Sequence, residues 1–266
     1  MSRENLLHEQ RITELEKKLQ QMDNELDCCK KEKDEFIYLV SHDLKAPVRK
    51  MITFIERLVR QAGNELNKDA VSSIERIQKN ILSMQSLIDD LSVFSETEAP
   101  VHLDKCDLNN LINEVLEEFE PRLKKNAIAI HLSALPTINC KPSQLKIVFE
   151  KIIDNAIKFQ QKEHSAAITI SSDLLKQEEK IKLNLPPEIV YYEIRFADNG
   201  IGFNEEDATQ ILKPLVRLHG QSSYPGNGLG LAICDKIIKL HRGIFYAQGI
   251  ENRGSVFVLI LPEFLQ

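Results

Sequence analysis

The chain has 266 residues, of which 42% are hydrophobic and 28% are charged, and its formal net charge is -6. This length favours one or two domains with a buried core, and the composition excludes a chain that is disordered throughout. Because the balance is acidic and no Lys/Arg cluster is interleaved with aromatic residues, we expect no nucleic-acid partner. No segment approaches the run of about 20 apolar residues that crosses a bilayer, so we expect a cytoplasmic protein without membrane insertion.

The five cysteines are an odd number and include no C-x-x-C pair, which argues against a disulfide framework and a structural zinc site. We expect Cys106, Cys140 and Cys234 to be reduced residues in or near a core. Cys28 and Cys29 are neighbours on a predicted helix, where an intermolecular disulfide would require oxidising conditions.

Apolar residues recur at steps of three and four in the first part of the chain. The positions are Ile12, Leu15, Leu19, Met22, Leu26 and Cys29, continuing through Lys33, Phe36 and Val40. This heptad pattern predicts a coiled coil over residues 1–34 that runs on as the same helix. On this register His42 lies outside the a and d positions, so we expect its side chain to face outward.

His42 is followed at once by Asp43 and five residues later by Pro47. A proline inside a helix frees the carbonyl four residues back, at a cost of roughly 3 kcal/mol, which predicts a bend beside His42. The imidazole could be a nucleophile whose other ring nitrogen keeps its proton against the Asp43 carboxylate. A solvated histidine on an amphipathic helix is the alternative, and these residues alone leave it open.

Beyond Pro47 the apolar pattern resumes on a shifted phase, and a second helix follows a stop signal at Gly63 and Asn64. The positions are Val48, Met51, Ile55 and Leu58 on the first helix, and Ile74, Ile77, Ile81, Met84, Ile88 and Leu91 on the second. A hairpin has little core by itself, so residues 35–97 are predicted to pair with a second copy as a dimeric four-helix bundle. Packing of the hairpin on the C-terminal half of its own chain is the alternative.

Periodicity stops over residues 95–103, and residues 98–266 mix helices and strands. Helices are predicted at 108–125, at 144–159 with Ser143 as the N-cap, and at 229–240. Strands are predicted at 128–132, 168–171, 191–196, 244–248 and 255–261, with a polar surface insertion at 173–188. The fold class is therefore α+β: the coiled coil and helical hairpin precede an α/β sandwich with a mixed or antiparallel sheet covered by helices on one face.

Two glycine clusters lie in this second part. Residues 198–202, DNGIG, close a strand, and residues 226–231, GNGLGL, open a helix. Glycines let a ligand approach the backbone, and a helix N-terminus attracts phosphate. A dinucleotide fingerprint would follow a strand and have its third glycine at position 231, which is a leucine here. No P-loop motif is present either. Either cluster alone could be turn chemistry; together they predict a nucleotide site in which Asp198 accepts a hydrogen bond from an amino group.

Four segments in this order resemble the cytoplasmic kinase core of two-component sensor histidine kinases, over essentially the whole chain. SHDLKAPVR at 41–49 resembles the phospho-acceptor box and FEKIIDNAIKF at 149–159 the N box. DNGIGF at 198–203 resembles the G1 box and GNGLGLAI at 226–233 the G2 box. The resemblance implies a homodimer that uses ATP and Mg²⁺ to phosphorylate a histidine and passes the phosphoryl group to an aspartate of a response-regulator receiver domain.

The resemblance also implies roles for individual residues. His42 would accept the phosphoryl group with Asp43 as base or orienter, and Asn155 would hold Mg²⁺. The ATP-binding residues would be Asn155, Lys158, Asp198, Gly200, Gly202, Arg217, Gly226, Gly228, Leu229 and Gly230, with a mobile lid between Gly202 and Gly226.

Three departures from the family pattern stand out. Lys151 occupies the place where many N boxes carry an asparagine; an ammonium cannot ligate a metal and could either repel Mg²⁺ or bind a phosphate. Leu212 and Leu215 stand where the lid usually carries phenylalanine. Ala46 replaces a Thr or Asn common in kinases that also act as phosphatases, which predicts weak or absent intrinsic phosphatase activity.

Lys151 leaves a non-catalytic, nucleotide-binding pseudokinase scaffold as the alternative function. A third reading, an ATPase of the gyrase or chaperone group, is disfavoured by the heptads and by the His-Asp-x-x-x-Pro arrangement.

Overall fold

The computed structural model describes residues 3–62, 67–97, 102–161, 165–218, 224 and 226–264. The predicted turn at Gly63 and Asn64 and part of the predicted lid lie outside the described residues. The helices are α1 Arg3–Ala62, α2 Lys68–Glu96, α3 Leu108–Lys125, α4 Pro142–Lys158, α5 Gln177–Lys182 and α6 Gly230–Leu240. The strands are β1 Asp104–Asp107, β2 Ala129–Leu132, β3 Thr137–Cys140, β4 Ala167–Leu174, β5 Tyr191–Asp198, β6 Ile244–Ile250 and β7 Gly254–Pro262.

The predicted coiled coil and the first hairpin helix form one helix, α1, of 60 residues that passes through Pro47 without ending. It packs against α2 through Val48, Ile81 and Ile88, which are 1%, 5% and 4% exposed. An ion pair of 3.3 Å between Lys45 Nζ and Asp89 Oδ1 joins the same two helices. This hairpin confirms the helical part of the predicted fold class.

The larger sheet has the strand order β2-β4-β5-β7-β6, in which β2 and β4 are parallel and the other neighbours are antiparallel. It is therefore the mixed sheet that was predicted. A second sheet, which was not predicted from the sequence, pairs β1 with β3. Three of the four residues of β1 are charged, and β3 is a four-residue segment directly after Pro136, so neither carries the sequence pattern of a strand.

Strand alternation divides the residues of the larger sheet between its two faces. Ile194, Phe196 and Leu259 pack in the main core, to which α3, α4 and α6 contribute. Tyr191 and Ile260 belong to a smaller cluster on the opposite face of the sheet, together with Leu183 and Leu185 of the segment between β4 and β5. The alternation places Asp198 on the same face as Phe196, which is the face that the helices cover.

Two local predictions need correction. Ser143 is not the N-cap of α4, because the helix begins at Pro142 and Lys141 occupies the cap without a side-chain hydrogen bond. Proline is well suited to a first helical position, since its missing N–H would have no partner there. The predicted insertion between strands is present, but it contains α5 and covers apolar residues of the sheet. Cys140 and Cys234 are buried and Cys106 is half-buried, as predicted.

His241 connects the beginning of α4 to the end of α6. Its ring is 1% exposed, its Nε2 accepts a hydrogen bond of 3.2 Å from the backbone N–H of Lys141, and its Nδ1 lies 2.9 Å from the carbonyl of Ile237. This arrangement uses the neutral imidazole with the proton on Nδ1. Burial lowers the pKa of His241, outweighing the hydrogen bond to Ile237, which raises it.

We expect the free energy of unfolding to decrease as the pH falls below about 6.5, the ordinary pKa of histidine. The unfolded chain then binds a proton at His241 more readily than the folded chain does, so acid favours unfolding. One such group contributes at most about 1.4 kcal/mol per pH unit. Urea unfolding between pH 5 and 8 would measure this slope.

The matched variant is His241→Gln, whose amide can also donate and accept hydrogen bonds but does not titrate. Its slope should be shallower than that of the wild type, and an equal slope would rule out His241 as the source.

Candidate nucleotide-binding site

A cavity lies where α4, the end of β5 and the beginning of α6 meet. Among the described residues, its wall includes the following predicted site residues: Asn155, Lys158, Asp198, Gly202, Arg217, Gly226, Gly228 and Gly230. Gly200 lies beside the wall, where its N–H donates to Asp198, and Leu229 is the buried N-cap residue of α6. The fold thus brings together residues that are far apart along the chain.

One face of α4 supplies four polar side chains to the cavity: Lys151, Asp154, Asn155 and Lys158. Lys151, Asn155 and Lys158 follow each other by four and three residues, a spacing that places side chains along a single stripe of a helix. The ammonium of Lys158 lies 4.5 Å from the centre of the Phe159 ring, and burial lowers the pKa of this lysine. The stripe combines an amide, which can ligate a metal, with two cations that can face an anion.

Asp198 ends β5 on the helix side of the sheet, opposite Ser255 of β7 in the register. Its Oδ1 accepts a hydrogen bond of 2.8 Å from the N–H of Gly200. Burial raises the pKa of Asp198 to about 6, although hydrogen bonds from Gly200 and Ser255 favour the carboxylate. A half-buried carboxylate in a cavity can accept a hydrogen bond from a ligand amino group when it is ionised.

Two glycines are required by their surroundings. Gly202 has a φ of +63°, and a Cβ there would overlap the carbonyl oxygen of Ile250. Gly226 has a φ of +149°, and a Cβ there would overlap the ammonium of Lys158. The first glycine lets the turn after Asp198 pack on the connection between β6 and β7, and the second lets the chain approach the cationic end of the α4 stripe.

The segment between the two glycine clusters is described only in part. Arg217 Nη2 donates a hydrogen bond of 2.9 Å to the carbonyl of Tyr224, and the Tyr224 ring lies 4.9 Å from that of Phe159. Leu212 packs against the main core, whereas Leu215 is 62% exposed. Apolar docking of this segment therefore involves Leu212 and not Leu215.

One part of the cavity wall, which was not predicted from the sequence, comes from α2. Ser86 and Asp90, four residues apart on that helix, line the cavity. Asp90 forms an ion pair with Lys151, and Asn227 Nδ2 donates a hydrogen bond of 3.2 Å to Ser86 Oγ. The spacing of Ser86 and Asp90 shows that they share a helix face, but nothing in the sequence indicates what that face contacts.

His42 and Asp43 lie on α1 and are not part of the cavity wall. His42 Nδ1 is 3.4 Å from Asp43 Oδ1, and the two side chains are 74% and 86% exposed. The outward orientation predicted for His42 is thus confirmed. Because Nδ1 is the nitrogen that faces the carboxylate, Nε2 is the nitrogen that points away from it.

Comparison with known families matches both parts of the chain. Residues 32–100 match the His Kinase A (phospho-acceptor) domain, and residues 140–264 match the histidine kinase-, DNA gyrase B- and HSP90-like ATPase domain. Among the described residues, no helix combines the length and apolar character that a membrane span requires.

Several relatives align over most of the chain. The protein is 29% identical to cyanobacterial phytochrome A of Nostoc sp. over 92% of this chain and 30% of that protein. It is 25% identical to the adaptive-response sensory kinase SasA of Synechococcus sp. over 87% of this chain and 60% of that protein. The chain therefore spans less than a third of the phytochrome and 60% of SasA.

Solved structures share the fold. Full-length ShkA in complex with AMPPNP gives a TM-score of 0.63 at 22% identity, covering 86% of this chain and 45% of that one. The Acinetobacter baumannii histidine kinase AdeS gives a TM-score of 0.55 at 21% identity, covering 84% of this chain and 98% of that one. With the hairpin, the cavity and both matched domains in the family's order, the chain belongs to the histidine kinases and comprises their phospho-acceptor and ATP-binding domains.

Proposed function

We propose that the protein is an ATP-dependent protein-histidine kinase that phosphorylates itself on His42 and transfers the phosphoryl group to an aspartate of a response-regulator receiver domain. One observation carries this proposal: the nucleotide cavity is bounded on one side by the helical hairpin whose other helix exposes His42. We divide the chain into a coiled coil at 1–34, a hairpin at 35–97 and an ATP-binding domain at 98–266. We also propose that the kinase acts in the cytoplasm, where ATP is available.

The residues of the cavity suit the parts of ATP. Asp198 accepts a hydrogen bond from the adenine amino group, beside Gly200 and Gly202. Lys158, Arg217 and the N-terminus of α6 attract the phosphates, and Gly226, Gly228, Leu229 and Gly230 form the turn that approaches them. In phosphoryl transfer, such positioning and charge stabilisation supply most of the catalysis.

Asn155 is the residue that would hold Mg²⁺. Its amide oxygen is a ligand type that this ion accepts, and the described residues contain no cluster of three or more metal-ligating side chains. That donor set fits an ion that enters with the phosphates and takes its remaining ligands from them and from water. When bound, the ion would neutralise charge on the phosphates.

On α1, Asp43 orients the imidazole of His42 by accepting a hydrogen bond from Nδ1. This leaves the lone pair on Nε2 for attack on the γ-phosphorus, and ADP departs with the electrons of the broken P–O bond. Ala46, one helical turn after His42 and exposed, offers no hydrogen-bonding group to orient a water molecule. We therefore propose weak phosphatase activity.

The proposal is tested by incubating the protein with ATP labelled on the γ-phosphate. A histidine kinase should acquire a label that acid removes and base preserves, as expected of a phosphoramidate. An unlabelled protein that still binds ATP would instead favour the pseudokinase scaffold. The ion pair of Lys151 with Asp90 weighs against that scaffold, because it directs the ammonium toward a carboxylate and not toward a metal.

The predicted apolar seam is only partly buried within one chain, which supports a homodimer. Val48, Ile81 and Ile88 are buried within the hairpin, but other residues of the same seam remain exposed. The exposed ones are Met51 at 42%, Leu58 at 49%, Ile77 at 49% and Met84 at 48%, together with Ile12, Leu15, Leu19, Met22 and Leu26 at 53–67%. Pairing with a second copy would remove both sets from water.

The adjacent cysteines of α1 allow the dimer register to be tested. On the predicted heptad register Cys29 is a d residue, so a parallel dimer brings its two copies together within reach of a disulfide, whereas Cys28 is not in the seam. Mild oxidation with copper phenanthroline should give a crosslinked dimer on a non-reducing gel.

Cys28→Ser should retain that crosslink and Cys29→Ser should lose it. The two variants are matched, since both cysteines are exposed neighbours on the same helix. Equal crosslinking through either residue would refute the register.

A further inference from the structure

Lys151 and Asp90 join the ATP-binding domain to the hairpin at the wall of the cavity. Lys151 is on α4 and Asp90 is on α2, and their side chains form an ion pair. The two side chains are only 29% and 14% exposed, so water screens this pair less than a pair on the open surface. The lysine occupies the position at which many N boxes carry an asparagine.

Two other contacts hold α2 against the same domain. Asn227 Nδ2 donates to Ser86 Oγ at 3.2 Å, and Lys236 Nζ donates to the carbonyl of Phe94. Ser86, Asp90 and Phe94 follow each other at intervals of four residues, so one face of α2 makes all of these contacts. The docking of α2 therefore does not depend on the ion pair alone.

Asp90 poses an electrostatic problem for an anionic ligand. Its carboxylate belongs to the wall of the cavity that contains Asn155, Lys158 and the turn before α6. The side chain of Lys151 also passes close to that turn, since its Cδ lies 3.6 Å from where a Cβ of Gly230 would be. An unpaired carboxylate at this place would repel phosphates through a medium less polar than water.

We propose that Lys151 is a positioning residue that neutralises the Asp90 carboxylate of α2 beside the nucleotide. By pairing with Asp90, it lets the phosphate chain of ATP bind while α2 stays docked. This inference rests on the proposed binding of ATP. It assigns the lysine a role that an asparagine could not fill, because a neutral amide would leave Asp90 charged and uncompensated. The lysine is needed here because of the carboxylate on α2.

The inference predicts non-additive effects in a cycle of Lys151→Met and Asp90→Asn, measured as ATP affinity in the full chain by calorimetry. Methionine keeps the apolar stem of the lysine, and asparagine keeps the shape of the aspartate. Lys151→Met should weaken ATP binding roughly tenfold, which is the size expected for one unpaired charge near the phosphates. Asp90→Asn should bind ATP at least as well as the wild type, and the double variant should return to within about threefold of it.

Adenosine provides the second readout, because it has no phosphates to be repelled. Its affinity should be the same in all four proteins, whereas a purely structural defect would lower it along with that of ATP. Lys146→Met is the matched control variant, since Lys146 is also on α4 but pairs with Glu118 on α3 and does not line the cavity. It should leave ATP affinity unchanged.

Three results would overturn the inference. Equal losses on Lys151→Met with and without Asp90→Asn would show a direct phosphate contact that is independent of α2. A parallel loss of adenosine affinity would show a structural role. A wild-type chain that binds neither ATP nor adenosine would refute the proposed function itself, and this inference with it.

Discussion

His42→Gln is expected to abolish the phosphoryl label that the wild-type chain acquires from γ-labelled ATP. Glutamine has no ring nitrogen with the nucleophilic lone pair from which a phosphoramidate forms. The His42 side chain is 74% exposed, so its replacement should leave the fold intact. ATP affinity should also be unchanged, because the histidine is not part of the cavity wall. Labelling and calorimetry on the same sample would separate these two effects.

The matched control is His131→Gln on β2, which also replaces an exposed histidine and should keep the full label. A label that persists in His42→Gln would mean that another residue is the acceptor. Loss of label from both variants would point to a general effect of removing exposed histidines.

Asp198→Asn is expected to weaken the binding of ATP and of adenosine by a similar factor of about 100, which is the upper range for the loss of a hydrogen bond to a charged group. The carboxylate only accepts hydrogen bonds, whereas the amide places a donor beside the adenine amino group and the N–H of Gly200. Calorimetry with both ligands would measure the loss. Because adenosine is affected too, this variant differs from Lys151→Met.

The pH dependence of adenosine binding supplies a second test of the role of Asp198. Burial raises the pKa of this residue to about 6, so the wild-type carboxylate takes up a proton as the pH falls through that value. Adenosine affinity should then decrease between pH 7 and pH 5 in the wild type and stay flat in Asp198→Asn. Asp173→Asn, at an exposed carboxylate of β4, should behave like the wild type. Wild-type binding that does not change with pH would contradict the role of the carboxylate.

The Asp198 carboxylate affects the pH dependence of stability in the direction opposite to that of His241. With a folded-state pKa above its ordinary value, Asp198 binds a proton more readily in the folded chain, so it favours folding as the pH falls toward 4. His241 favours unfolding over the upper part of the same range. Asp198→Asn should therefore make the acid-induced loss of stability steeper, and His241→Gln should make it shallower.

Elements with strong local signals could be predicted from the sequence. The bounds of α3, Leu108–Lys125, agree with the prediction because Asp107 caps its beginning and its apolar residues keep a helical period. The short strands β1 and β3 carry no comparable signal and were missed. The start of α4 was misplaced at Ser143 because a favourable cap residue stood next to a proline that the helix could include.

The residues of the cavity could be assigned from the order of the four motifs, whereas the contribution of α2 could not. Asp90 and Lys151 are 61 positions apart, and their contact depends on how the hairpin docks on the ATP-binding domain. Charge patterns along a helix indicate only pairs three or four residues apart. For the same reason, the period of the α2 seam did not distinguish Ile81, which is buried within the hairpin, from Met84, which is exposed.

The unbroken course of α1 fixes the angular relation between its apolar seam and His42. Each residue turns an α-helix by about 100°, so adding or removing one between Cys29 and His42 would swing the imidazole to another side of the bundle. Adding seven residues would change its direction by only about 20°. A coiled coil fused to this helix at a spacing of whole heptads would therefore preserve the direction in which His42 faces.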